Sequence, residues 1–127
     1  MKVFRNIKPE FVDARGAITK LLDDGKTKIQ STLLITSKAG SVRSNHYHQK
    51  DAHYIYMLSG EMEYLEKKVG KGGKLQRAVI KKGDIVYTPP MAIHTSKFTK
   101  DSVFIALSIR SRHRAAYEKD TVRVESL

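Results

Sequence analysis

An all-β sandwich or barrel is the fold class this sequence predicts, and three observations predict it. Short apolar or alternating runs recur along the chain, about nine of them, at the even spacing of a strand-and-turn protein. Glycine, proline and aspartate separate the runs, as in Lys38-Ala39-Gly40, Ser59-Gly60-Glu61 and Lys82-Gly83-Asp84. Helical periodicity is almost absent; only HRAAYEKD, from His113 to Asp120, reads as a helical turn.

In order, Val3 to Ile7 is the first strand candidate, and Pro9 closes it. Gly16 then marks a loop, Ala17 to Leu22 reads as a strand, and Asp23-Asp24-Gly25 turns the chain. Ile29 to Ser37 is a longer strand. The segment from Gly40 to Gly60, GSVRSNHYHQKDAHYIYMLSG, holds two more and three of the five histidines. Successive strand residues alternate faces, so His46 and His48 point to one side, about 7 Å apart. His53 opens the apolar, aromatic run to Leu58, which brings a third imidazole towards the same face. Met62 to Val69 returns after a tight hairpin turn. Gly70 to Gly73 is a flexible hairpin loop; it lacks the strand, the hydroxyl residue after the lysine and the helix of a phosphate-binding loop. Leu75 to Ile80, Ile85 to Thr88 and Ser102 to Ile109 complete the set, with His94 after a Pro-Pro turn and ahead of a strand.

At 127 residues, with 40% hydrophobic and 29% charged side chains, residues 1–127 are expected to form a single globular domain. There is no cysteine, which excludes disulfides and thiolate metal sites. No apolar run approaches the roughly 20 residues of a membrane span, and MKVFRNIKPE lacks a signal-peptide core, so a cytoplasmic location without membrane contact is expected. Twenty-four Lys and Arg against 13 Asp and Glu give a formal +11, which favours anionic partners. The charge is scattered and accompanies no nucleic-acid-binding motif, so none is expected as partner.

These residues match a known pattern. The stretch from Gly40 resembles the first cupin motif, G-x5-H-x-H-x3,4-E-x6-G, through Gly40, His46, His48 and Gly60, with His53 in the glutamate position. GDIVYTPPMAIH resembles the second, G-x5-P-x-G-x2-H, through Gly83, Pro89 and His94, with Met91 in place of the glycine. The resemblance implies a cupin-type double-stranded β-helix, a jelly-roll barrel, and often a homodimer. The exposed strand Val3 to Ile7 would serve such pairing. Clustered imidazoles repel unless neutral or bound. His46, His48, His53 and His94 are therefore the candidate ligands of a divalent transition metal such as Zn, Mn, Fe, Ni or Cu, at about 2.0–2.2 Å. Asp51 is a possible substitute for the missing carboxylate.

A second likeness concerns function. FVDARGAI is similar to the F-x-D-x-R-G stretch of nucleotide-sugar 3,5-epimerases, and GSVRSNHYHQ to the segment that carries their catalytic base. Arg43, His46 and His48 also match the R-x-x-H-x-H of sugar 3,4-ketoisomerases, with Ser44 departing from the usual glycine. SVFIALSIR and YEKDT run like the tails of this sugar-modifying group. The implied activity, in polysaccharide biosynthesis, moves protons beside the ketone of a nucleotide-activated sugar. His46 is then the base and His48 its partner or enolate stabiliser. Tyr47, Tyr54, Tyr56 and Tyr87 are the candidate acids or substrate contacts, and alternation sets Tyr47 on the wrong face. Arg15 and Arg43 would hold the diphosphate of this anionic substrate, although Arg15 equally reads as a turn residue paired with Asp13. Such enzymes commonly work without metal, so metal-free function stays open. The alternatives are a metal-dependent dioxygenase and a non-catalytic sugar- or ligand-binding cupin. His113 matches nothing and reads as a surface residue.

Overall fold

Side-chain alternation decides which runs become strands and which way each one faces. The computed structural model describes residues 1–125 and 127. Among them are twelve strands: β1 (Lys2–Phe4), β2 (Phe11–Asp13), β3 (Gly16–Ile18), β4 (Ser31–Ser37), β5 (Val42–His48), β6 (His53–Ser59), β7 (Glu61–Lys68), β8 (Gln76–Lys81), β9 (Ile85–Thr88), β10 (Ala92–Phe98), β11 (Ser102–Ser108) and β12 (Thr121–Arg123). One helix, α1 (Arg114–Asp120), fulfils the helical-turn expectation, and no helix among the described residues is long and apolar enough to cross a membrane.

Two five-stranded sheets face each other, in the orders β1-β9-β6-β11-β4 and β12-β5-β10-β7-β8, with β2 and β3 as a separate ribbon. The antiparallel pairs nest. β4 pairs with β11, β5 with β10, β6 with β9 and β7 with β8, alternately in the first and second sheet. That is a long hairpin with the β7–β8 turn at its tip, rolled into a barrel. The all-β jelly-roll expectation therefore holds.

The inward positions change character along each strand, and this locates the site. β6 turns His53, Ile55 and Met57 inward; β10 turns His94 and Phe98 inward. The apolar ends meet in a core of Ile55, Met57, Met62, Tyr64, Ile80, Val86, Phe98, Phe104 and Ala106. There the Phe98 and Phe104 rings stack at 5.6 Å. The histidines fill the other end. Tyr64 lies between, its ring stacked 6.5 Å from that of His94, its hydroxyl 2.9 Å from Glu66 Oε1 and 2.6 Å from Thr88 Oγ1. A buried polar layer whose groups are all hydrogen-bonded can thus separate core from site at little cost.

Several boundaries differ from expectation. β1 stops at Phe4, because Asn6 takes a left-handed φ of 47° and its N–H turns to Asp84 Oδ1 at 2.8 Å. Asp84 also accepts from Lys81 N and the Arg5 guanidinium, both at 2.9 Å. Burial pushes the Asp84 carboxyl up, but the backbone N–H groups of Lys81 and Asn6 and the Arg5 charge outweigh it and hold it below its usual range. The expected strand Ala17 to Leu22 is Gly16–Ile18, since its sole partner among the described residues, β2, offers three residues. His94 lies inside β10 rather than ahead of it.

Candidate active site

The β5–β10 ladder sets His94 directly opposite His46, and β6, from the other sheet, carries His53 towards both. The four imidazoles meet at the barrel end. Ring centroids are 4.7 Å apart for His46 and His94, 4.9 Å for His46 and His48, 5.2 Å for His53 and His94, and 5.9 Å for His48 and His53. They line a cavity of about 320 Å³, together with Arg43, Arg112 and Tyr117.

Hydrogen bonds decide two tautomers. His94 Nδ1 lies 3.0 Å from the Ala92 carbonyl, which can only accept, so Nδ1 carries the proton and Nε2 the lone pair. The Thr121 hydroxyl donates its one proton to Tyr117 O at 2.7 Å, so His48 Nδ1, 3.2 Å from Thr121 Oγ1, must donate to it. Asp120 Oδ2, 3.9 Å from the same nitrogen, reinforces that choice. His48 Nε2 is left as an acceptor.

All four rings are driven towards the neutral form. Burial, followed by the charges of His94, His48, Arg123 and Arg112, takes His46 down to about 3. Burial also takes His94 to about 4, against the upward pull of its Ala92 bond. Fully enclosed His53 falls well below its ordinary value through burial and the other three imidazoles. His48 is lowered by burial, and Asp120 opposes the fall. The nitrogens of His46, His48 and His94 lie within 4.8 Å of one another, as do donor atoms of His48, Asp51 and His53. Neutral nitrogen donors at this spacing fit a first-row divalent ion.

Residues 9–111 match the ChrR cupin-like domain family, most of the chain. The chain belongs to the ChrR cupin-like family. No curated protein sequence matches it. Among solved structures, this cupin is similar to the dTDP-4-dehydrorhamnose 3,5-epimerase of Sulfolobus tokodaii, at 18% identity and TM-score 0.75, over 91% of this chain and 72% of the other. A 3,4-ketoisomerase from Helicobacter canadensis aligns at 15% identity and TM-score 0.77, over 97% of this chain and 90% of that one. QdtA, a sugar 3,4-ketoisomerase from Thermoanaerobacterium thermosaccharolyticum in complex with TDP, aligns at 18% identity and TM-score 0.75, over 97% and 87%. At these identities the likeness carries the fold.

The cupin barrel brings His46, His48, His53 and His94 together and sets Arg43 at the rim, where Nε donates to Ser37 Oγ at 2.7 Å and the guanidinium to Thr36 O at 2.9 Å. The tyrosines expected beside them are not there. With His53, Ile55 and Met57 inward, Tyr54 and Tyr56 point out of the barrel, and Tyr87, paired with Tyr54 across β6 and β9, points out too. Arg15 is also elsewhere. It sits on the β2–β3 turn with its side chain 85% exposed, donating to Asp13 Oδ2 from Nε at 3.0 Å and from Nη2 at 2.6 Å. Asp51 lies in the loop before β6, buried, with Oδ1 accepting from Arg110 N at 3.1 Å.

In their place stand three residues from beyond β11. Tyr117 on α1 has its ring 5.5 Å from His48, and the Arg112 guanidinium covers that ring at 4.1 Å. Asp120 is the third. Tyr117 and Asp120 lie in the tail-like stretch YEKDT, but only the pairing of Thr121 in β12 with His48 brings α1 to the cavity.

The buried imidazoles make stability depend on pH. Unfolded histidines titrate near 6.5 and the folded ones lower, so between these values the unfolded chain binds more protons. Stability of metal-free protein is therefore full above about pH 6.5 and falls as the pH drops towards 4, by roughly 2–3 kcal/mol from His94 alone. Denaturant midpoints at pH 7.5 and 5 measure this, and equal midpoints would contradict it.

Proposed function

We propose that this cupin is an isomerase or epimerase that moves protons on the carbons beside the ketone of a nucleotide-activated keto sugar. One observation carries the reading: His48 has its Nδ1 proton engaged by Thr121, with Asp120 behind it, and keeps Nε2 as a free acceptor at a cavity edged with arginines. A general base needs a lone pair aimed at the substrate and support for the charge it gains, and Asp120 supplies the support. His46 lacks such a carboxylate. The roles implied by the family resemblance are therefore exchanged, with His48 taking the proton and the neutral His46 donating a hydrogen bond to the enolate oxygen. Tyr117 returns the proton. Arg112 and Arg43, which line the cavity, would hold the diphosphate. The ketoisomerase and epimerase folds nearby, one of them in complex with TDP, support the choice of a TDP-sugar class of substrate.

The test is deuterium uptake. Incubation with TDP-4-keto-6-deoxyglucose in deuterated water should place deuterium at C3 or C5 if the enzyme is an epimerase, or at C4 of a 3-keto product if it is a ketoisomerase, and its absence from all three positions counts against the reading.

The grouping of His46, His48 and His94 favours a second reading, a metal-dependent cupin such as a dioxygenase. Those three residues, with His53 behind them, would hold a divalent ion, which supplies Lewis acidity or oxygen chemistry when bound. The two uses of His48 exclude each other, because an ion on Nε2 takes the lone pair the base needs. One equivalent of Zn²⁺ should therefore inhibit deuterium exchange. Exchange that requires added metal, or oxygen uptake that chelation abolishes, would favour the second reading.

A further inference from the structure

On the side of the first sheet away from the histidines, a second cavity of about 450 Å³ opens against Tyr54 and Tyr87. Their rings meet across the β6–β9 pair at 4.7 Å, inclined by 42°. Lys26, Lys28, Lys50 and Arg110 wall it, and Lys2 approaches the Tyr87 ring to 5.7 Å. No carboxylate lines the cavity. Among the described residues none of these cations makes an ion pair.

The acids beside these loops are already engaged: Asp23 pairs with Lys20, and Asp120 accepts from Lys50 N and Asp51 N. Asp24 accepts from Lys26 N at 2.9 Å, Thr27 N at 2.7 Å and the Thr27 hydroxyl, which fixes the turn that carries Lys26 and Lys28. Asp51 is buried and accepts from Arg110 N. Four cationic residues therefore border one hollow whose lining holds no carboxylate. Like charges gathered this way raise the local concentration of anions. Ammonium and guanidinium groups take phosphate oxygens through charge-assisted hydrogen bonds. Aromatic faces beside them accept a planar base by stacking. The volume lies in the range of small-ligand sites, about 300–1,000 Å³.

We propose that this outer-face cavity is a second ligand site, for a free nucleoside mono- or diphosphate whose base lies on Tyr54 and Tyr87 and whose phosphates are held by the Lys26, Lys28, Lys50 and Arg110 cluster. It is distinct from the barrel cavity, since the sheet that turns His53 inward turns Tyr54 outward.

ADP is the probe, followed by calorimetry and by tyrosine fluorescence, which is unobscured because the chain has no tryptophan. Saturable binding is expected, weakened at least tenfold by the surface double substitution Lys28→Glu/Lys50→Glu and by Tyr87→Leu, and unchanged by His46→Ala. Adenosine or inorganic phosphate alone should bind at least tenfold more weakly than ADP. The proposal is overturned by the absence of saturation, or by binding that survives Lys28→Glu/Lys50→Glu but is lost in His46→Ala, which would put ADP in the barrel. An oligothymidylate that binds more tightly than ADP also overturns it, in favour of a nucleic-acid strand. Deuterium exchange is measured separately, so failure here leaves the proposed isomerase untouched.

Discussion

Replacing His48 by Asn is expected to lower deuterium exchange on a 4-keto nucleotide sugar by at least a hundredfold, the low end of what a positioned general base contributes. The argument rests on which imidazole is a base in waiting. Burial and the neighbouring imidazoles keep His46 and His53 neutral, and burial with His48 does the same for His94 against the pull of its Ala92 bond. His48 is the one of the four whose pKa a carboxylate raises, Asp120 Oδ2 at 3.9 Å. Asp120→Asn should then reduce exchange about tenfold. It should also move the acid limb of the pH profile to lower pH, because Asp120 raises the pKa of His48 and its loss lets that pKa fall. A purely structural role for Asp120 would leave the limb in place. Since Asp120 also accepts from Lys50 N and Asp51 N, circular dichroism must show each variant folded. If His48→Asn retains more than a tenth of the exchange and His46→Asn abolishes it, the base is His46. If both retain it, the barrel cavity is not the catalytic site.

How far the site was legible depends on whether each residue's position is local. His46 and His48 share a face by strand period alone, and His94 joins them because β10 lies beside β5, which the motif resemblance anticipates. The period that sets Tyr47 on the wrong face also sets Tyr54 and Tyr56 outward once His53 is inward. Tyr87 follows Tyr54 outward through the β6–β9 register, which one sequence does not reveal. Arg15 behaves as the turn alternative expected, paired with Asp13 at 2.6 Å. Tyr117, Arg112 and Asp120 were hidden for a different reason. Their segment is polar and short, readable as a helical turn with a tail-like YEKDT, and only the long-range pairing of β12 with β5 sets it at the cavity.

Gly60→Ala is expected to destabilise the fold by about 3 kcal/mol or more, roughly 10 °C in Tm for a domain of this size. Gly60 turns the chain from β6 to β7 with φ at +91°, where any other residue is strained by about 1 kcal/mol or more. Strain is the smaller part. A Cβ built there would come within 2.2 Å of Ser102 Oγ, 2.4 Å of Asp101 O and 2.6 Å of Ser102 Cα, and two of these atoms are backbone that cannot swing aside. The turn rests on the start of β11, where Ser102 Oγ accepts from Glu61 N at 3.1 Å and donates to Lys100 O at 2.8 Å. Relieving the clash would therefore open the junction between the β6–β7 and β10–β11 turns. Gly40 separates the two causes. It occupies the other end of the same motif, with φ at +86°, but a Cβ there meets nothing within 4 Å. Gly40→Ala should cost about 1 kcal/mol, from φ alone. Equal losses in the two variants, measured by urea unfolding, would show that backbone conformation and not contact holds both glycines in place. A Gly60→Ala loss several times the Gly40→Ala loss would show that the first cupin motif carries a glycine at this end because another strand passes too close for any side chain.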